Sequence, residues 1–186
     1  WTLPFITGTG DATLEINPEN PQPKPNVGPE FSGVALGDDG EPYCVDASMN
    51  MTSADVKKTL LGLMPLIQER LKFLTEAAEM VRFMFTEPAV LPADQIIPKR
   101  LDAAKTKEVL EHAKAFVEKI FETDHEGAEN FAKAEAEALG VKLGDFMMPI
   151  RMAVTGSRVS PPLIGSIAVL GKEKSLSRIA RTLAAL

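Results

Sequence analysis

The sequence has almost no cysteine. Cys44 stands alone among 186 residues, so no internal disulfide can hold the fold, and a reducing cytoplasmic setting is the expectation. Aromatic residues are also few, at 6% with one Trp and one Tyr, and clusters of β-branched residues are scarce, which argues against a sheet-built core. No run reaches the roughly 18 apolar residues of a membrane span, and no basic segment followed by an apolar one marks a secretory leader. Neither a membrane nor an oxidising compartment is therefore expected. The chain begins at Trp1 rather than at a methionine, and it reads as a fragment of a longer protein.

Chemistry-bearing residues are equally thin. The two histidines, His112 and His125, lie on acidic segments without a second His or Cys at ligand spacing, so they read as solvated surface and no metal site is expected. Asp124, Glu126 and Glu129 in "DHEGAE" fit helix capping better than general acid–base work. Ser157 and Ser160 have no base nearby in sequence, so nucleophilic catalysis lacks its partners. "GTGDA" from Gly8 has neither a strand before it nor a helix after it. "GSIAVLGKE" has glycines one residue too far apart, and Glu173 stands where a magnesium-binding hydroxyl belongs, so neither stretch is a phosphate loop. The expected number of catalytic residues is zero.

What is plentiful is helix. A hydrophobic content of 45%, rich in Ala, Leu and Met, is enough for a core, and the apolar residues recur at three- and four-residue steps. Val56, Leu60, Leu63, Met64, Ile67, Leu71 and Leu74 make one such stripe, capped by Ser53, with Pro65 expected either to kink it or to break it in two. A second helix runs through "EAAEMVRFMF" to near Pro88, and "TEPAVLPADQIIP" reads as a proline-punctuated connection. A third extends from about Asp102 to Phe121, with Val109, Leu110, Ala113, Phe116, Val117, Ile120 and Phe121 on its apolar face. Further helices follow: one after Asp124 with Gly140 at its end, one introduced by Gly144 and Asp145 with Pro149 near its first turn, and two short ones divided by Gly171. In the last, Leu176, Ile179, Ala180, Leu183 and Leu186 face inward while Lys174, Arg178 and Arg181 fall on the other side.

The pattern implies an all-α fold of two consecutive helical subdomains, 51–122 and 123–186, preceded by an irregular Pro/Gly/Asp-rich lead-in over 1–50. That lead-in holds five of the 14 prolines in "NPENPQPKPNVGPE". "FSGVAL" and "YCVDA" could pair there as short strands, and the segment is either partly disordered or an ordered flap. The net charge of −6 hides a gradient: residues 1–50 hold eight acids and one base, and residues 142–186 hold two acids and seven bases. Such a basic tail is either a solvated helix face or a binding surface for an acidic partner.

One stretch decides between these readings. "GVKLGDFMMPIRMAVTGSRVSPPLIGSIAVLGKEKSLSRI" resembles the carboxyl-terminal region of bacterial glutamyl-tRNA synthetases: a "VKLG" turn, a helix ending "P-[IL]-R-x-A-[LV]-T-G", a proline-containing loop, and a segment like "LLGKER". "LIQERLKFLTEAAEMVRFMFTE" is similar to the family's upstream segment. The likeness covers roughly the last 135 residues. Of the first fifty, only "LPFI" is similar to a family segment.

The resemblance implies the anticodon-binding region of a class I glutamate–tRNA ligase. The "HIGH"-like and "KMSKS"-like signatures of class I synthetases are absent from these residues. ATP, magnesium and glutamate chemistry would therefore belong to an amino-terminal catalytic domain outside the chain, and no cofactor is expected within it. The implied partners are glutamate tRNA and that catalytic domain, with no role on DNA or membranes. Arg70 falls where the family reads the last anticodon base, a cytosine. A guanidinium fork suits its acceptors and would discriminate by about 1–3 kcal/mol. Members that tolerate glutamine tRNA often carry an uncharged residue there. Arg151 matches the arginine that contacts the first anticodon base, with Ser160, Pro161, Pro162 and Leu163 on the loop beside it, where "SPPL" replaces the commoner "TPGL" or "GPGL". Lys133 and Met148 align near residues that contact the middle base. Lys142, Arg158, Lys172, Lys174, Arg178 and Arg181 would attract phosphate. The competing reading is a helical protein–protein interaction module whose basic face meets an acidic partner.

Overall fold

A computed structural model describes residues 14–17, 20–25, 34–36, 42–44, 51–73 and 75–186. "LPFI", "GTGDA" and Leu74 lie outside the described residues. The chain forms two compact units, Trp1–Glu87 and Pro88–Leu186. The division drawn between residues 122 and 123 therefore falls inside the second unit, because the helices on either side of it share one core.

In the first unit, strands β1 (Leu14–Asn17) and β2 (Asn20–Pro25) pair antiparallel, with Glu15 opposite Lys24. Proline at positions 21, 23 and 25 does not prevent this, since in a two-stranded ladder each strand is an edge and the intervening residues keep their N–H groups. Strands β3 (Val34–Leu36) and β4 (Pro42–Cys44) form the pairing expected of "FSGVAL" and "YCVDA", with Ala35 opposite Tyr43.

From residue 51 onward the described residues form helices and no strand. Helix α1 spans Ser53–Ile67 and is capped by Thr52 rather than Ser53. Thr52 Oγ1 accepts from the Asp55 amide at 3.2 Å while Asp55 Oδ2 accepts from the Thr52 amide at 3.0 Å. Ser53 as cap would have placed Val56 at the third position, with no acceptor to return the bond. Pro65 neither breaks nor ends α1. Only two helical residues follow it, and the carbonyl it leaves unbonded belongs to exposed Leu61, where water can reach it. Val56, Leu63 and Ile67 are buried, whereas Met64, assigned to the same stripe, is exposed. Helix α2 (Thr75–Val81) passes into a 3-10 turn over Arg82–Met84, and Val81, Phe83, Met84 and Phe85 are buried.

The second unit begins with a short helix, α3 (Ala93–Ile96), inside the stretch read as a connection. Helix α4 (Ala103–Ile120) starts at Asp102, which accepts from the Lys105 amide at 2.7 Å. Phe121 lies just past its end and is 44% exposed, so it does not belong to the apolar face. Helix α5 (His125–Ala138) is capped by Asp124 and followed by Gly140 at φ +67°. Helix α6 (Leu143–Thr155) begins two residues before Asp145, so Pro149 stands a turn deeper than expected and is buried. The carbonyl it leaves unbonded is that of Asp145, still in the first turn. Helices α7 (Leu163–Leu170) and α8 (Lys172–Ala185) complete the unit.

These helices enclose one core. Phe116 of α4 and Phe146 of α6 meet edge-on at 5.9 Å, surrounded by Leu110, Ile150, Ile167 and Ile179. The alanines at 128, 132 and 136 form the buried face of α5, and their small size lets it lie close against α4 and α6. His112, expected at the solvated surface, is half-buried, and its Nδ1 lies 2.5 Å from Glu135 Oε2, joining α4 to α5. No helix among the described residues is long and apolar enough to cross a membrane.

Candidate nucleic-acid interface

The site is built where α6 stops. Gly156 takes the left-handed conformation, φ +67°, and its N–H bonds the Met152 carbonyl at 3.0 Å. A Cβ at this position would stand 2.8 Å from Pro88 Cβ, so both the turn and the close approach require glycine. Thr155 Oγ1 lies 2.9 Å from the Arg151 carbonyl and accepts from the Ser157 amide at 3.2 Å. Ser157 Oγ then donates to the Val159 carbonyl at 2.9 Å. These short side-chain to backbone bonds fold residues 155–159 into a defined loop.

Arg151 closes the loop from the other side. Its Nη1 donates to the Ser160 hydroxyl, to the Pro161 carbonyl at 3.1 Å and towards the Ser160 carbonyl at 3.4 Å. Ser160 Oγ in turn donates to the Pro161 carbonyl at 3.1 Å. The structure thus brings together Arg151, Ser160, Pro161 and Pro162, which the sequence places on a helix and a separate loop. Ser160 and Pro161 are buried, Pro162 is half-buried, and Leu163 is 2% exposed and part of the core. Leu163 therefore offers a ligand almost no surface. The exposed part of the loop is Ser157, Arg158 and Val159, the last 74% exposed. Sequence reasoning passed over Val159 and weighed Ser157 only as a nucleophile. The signal was present in the alternating hydroxyl residues Thr155 and Ser157 beside a glycine, a local turn pattern.

Met148 is half-buried on α6, and Lys133 is exposed on α5, 3.9 Å from Glu129. Lys142 is exposed at the start of α6, and Lys172 is exposed at the start of α8, 3.0 Å from Glu118. Lys174 is half-buried. Arg178 corrects the sequence reading: it is 1% exposed, and its Nη1 donates to the Val154 carbonyl at 2.8 Å, so it does not lie on the outer face of α8 and cannot touch phosphate. Arg181 is half-buried and donates to the Pro88 carbonyl at 2.6 Å. Ala180, assigned to the inner face, is exposed instead. A one-residue rotation of α8 relative to the expected face accounts for both: the guanidinium turns inward to a helix-end carbonyl, and the small residue takes the outside. Arg70 belongs to the first unit, exposed in the turn that follows α1.

A model of the anticodon binding domain family matches residues 38–183. A glutamate–tRNA ligase of Treponema denticola is 57% identical over 129 residues, covering 69% of this chain and 25% of that protein. Its counterpart in Treponema pallidum is 46% identical over 123 residues, 66% of this chain and 23% of that protein. The chain thus spans about a quarter of the length of these relatives. Among solved structures, a glutamate tRNA ligase from Elizabethkingia meningosepticum in complex with its amino acid superposes with a TM-score of 0.54 at 21% identity, over 75% of this chain and 31% of that one. The match over 38–183 takes in most of the chain and the whole loop that Arg151 closes, and the chain belongs to the anticodon binding domain family.

Proposed function

We propose that this chain reads the anticodon of glutamate tRNA as the carboxyl-terminal part of a glutamate–tRNA ligase working in the cytoplasm. ATP, magnesium and glutamate would be handled by a preceding catalytic domain. The observation that carries the reading is the loop after α6, in which Arg151 holds Ser160 and Pro161 inside the stretch that the anticodon-binding family matches. Single-stranded bases are read when splayed against backbone edges, apolar surface and guanidinium planes. A loop fixed before binding offers such a surface without an ordering cost. The half-buried Arg151 and Pro162 would meet the first anticodon base, with the buried Ser160, Pro161 and Leu163 setting the shape of the surface around them. Lys133 and Met148 would lie near the middle base, and Arg70 would read the last. Lys142, Arg158, Lys172 and Lys174 would add salt-dependent attraction to the phosphates.

The test is filter binding of the chain to glutamate tRNA and to unrelated tRNAs across a salt series. Tighter binding of glutamate tRNA, with a steep loss of affinity as salt rises, is the expected result. Equal affinity for all tRNAs would overturn anticodon reading, and no binding beside capture of an acidic protein partner would favour the interaction-module alternative.

A further inference from the structure

We propose, resting on the reading above, that Arg178 and Arg181 are positioning residues for the anticodon-facing loop, acting from behind it rather than on the RNA. Arg178 is among the largest fully buried side chains, at 1% exposure. A buried guanidinium is costly to desolvate and persists only where its donors are well used. Its Nη1 reaches the Val154 carbonyl at 2.8 Å. Val154 is the penultimate residue of α6, so its carbonyl is one of those a helix end leaves without an intrahelical partner.

Three residues along α8, Arg181 Nη2 donates to the Pro88 carbonyl at 2.6 Å, and Pro88 is the residue against which Gly156 packs. Helix α8 therefore grips the start of the loop at two points, at Val154 directly and at Gly156 through Pro88. Thr155, which stands between these two anchored residues, accepts from the Ser157 amide and so carries the grip into the loop. There is also an electrostatic consequence. The carboxyl end of α6 carries partial negative charge towards the loop, which would repel an RNA backbone arriving there, and the Arg178 guanidinium sits on it as an offset. Two of the seven bases in residues 142–186 thus serve the shape of the site instead of its outer surface.

The experiment measures dissociation constants of the 186-residue chain for two RNAs at two salt concentrations. One is the anticodon stem–loop of glutamate tRNA, and the other is the same stem–loop with its first anticodon base replaced. The parent is compared with Arg178→Met, Arg178→Lys and Arg181→Gln, each checked by circular-dichroism melting. Arg178→Met is expected to bring a first-base preference of about tenfold close to unity while leaving the salt slope unchanged, because no phosphate contact is lost. Arg178→Lys should restore part of the preference, and Arg181→Gln should lower it less. If Arg178→Met does not fold, Arg181→Gln decides by its base preference and by faster amide exchange at residues 156–160. A folded variant with the parent's preference and a merely lower melting point would overturn the proposal. So would an equal loss for both RNAs with a shallower salt slope, which would mark an ordinary phosphate contact. A parent chain with no first-base preference would overturn the functional reading itself, and this inference with it.

Discussion

Arg151 and Arg70 are both proposed to meet anticodon bases, yet they stand in opposite surroundings. Arg151 is half-buried, with one nitrogen spent on the Ser160 hydroxyl and on the Pro161 carbonyl. Arg70 is exposed in a turn, held by a backbone bond from its amide to the Ile67 carbonyl at 2.8 Å. The first belongs to a surface finished before any ligand arrives, while the second would lose side-chain freedom if it met a base. One arginine is already spent within its own unit, and the other stands exposed on its own.

That contrast can be broken by substitution. The largest effect is expected from Arg151→Ala, which removes charge-assisted bonds of about 1.5–3 kcal/mol and should weaken glutamate-tRNA binding on the order of 10- to 100-fold. Faster amide exchange over 157–161 should accompany the loss, and unchanged exchange would mean that Arg151 does not hold the loop. Next comes Gly156→Ala, which forces a side chain into a left-handed turn against Pro88. It should cost about 1–3 kcal/mol of stability, read as a lower melting temperature.

Arg70→Gln should leave the melting temperature unmoved, within about 0.5 kcal/mol, while narrowing the preference for glutamate over glutamine tRNA by up to about tenfold. Competition binding with the two tRNAs measures this, and a large stability loss would place Arg70 on the built side of the comparison. The smallest effect belongs to Lys172→Ala. Its exposed pair with Glu118 is worth about 0–1 kcal/mol, and the salt slope should fall by roughly one unit if the lysine also meets phosphate.

The same contrast explains what was legible in the sequence. Helix faces with a strong apolar period were readable, because burial of residues such as Val109, Ala113 and Phe116 follows from spacing alone. The glycines at 140 and 156 likewise announced their turns. Readings failed where a contact distant in sequence overrode local pattern. Arg178 looked like an outer residue because charge argues for water, but a helix-end carbonyl 24 residues earlier supplies a better use for it. Thr52 displaced Ser53 as cap because Asp55 could answer it. The closure of the loop by Arg151 was hidden for the same reason: residue types showed a suitable donor and a stiff loop, but not that one would be bonded to the other.

The most direct test of the central claim is a zero-length photo-crosslink from the first anticodon base of glutamate tRNA, with the adduct mapped by mass spectrometry. Adducts within residues 157–163 are the predicted result, lost in Arg151→Ala. Adducts confined to other segments, or undiminished in that variant, would contradict the account.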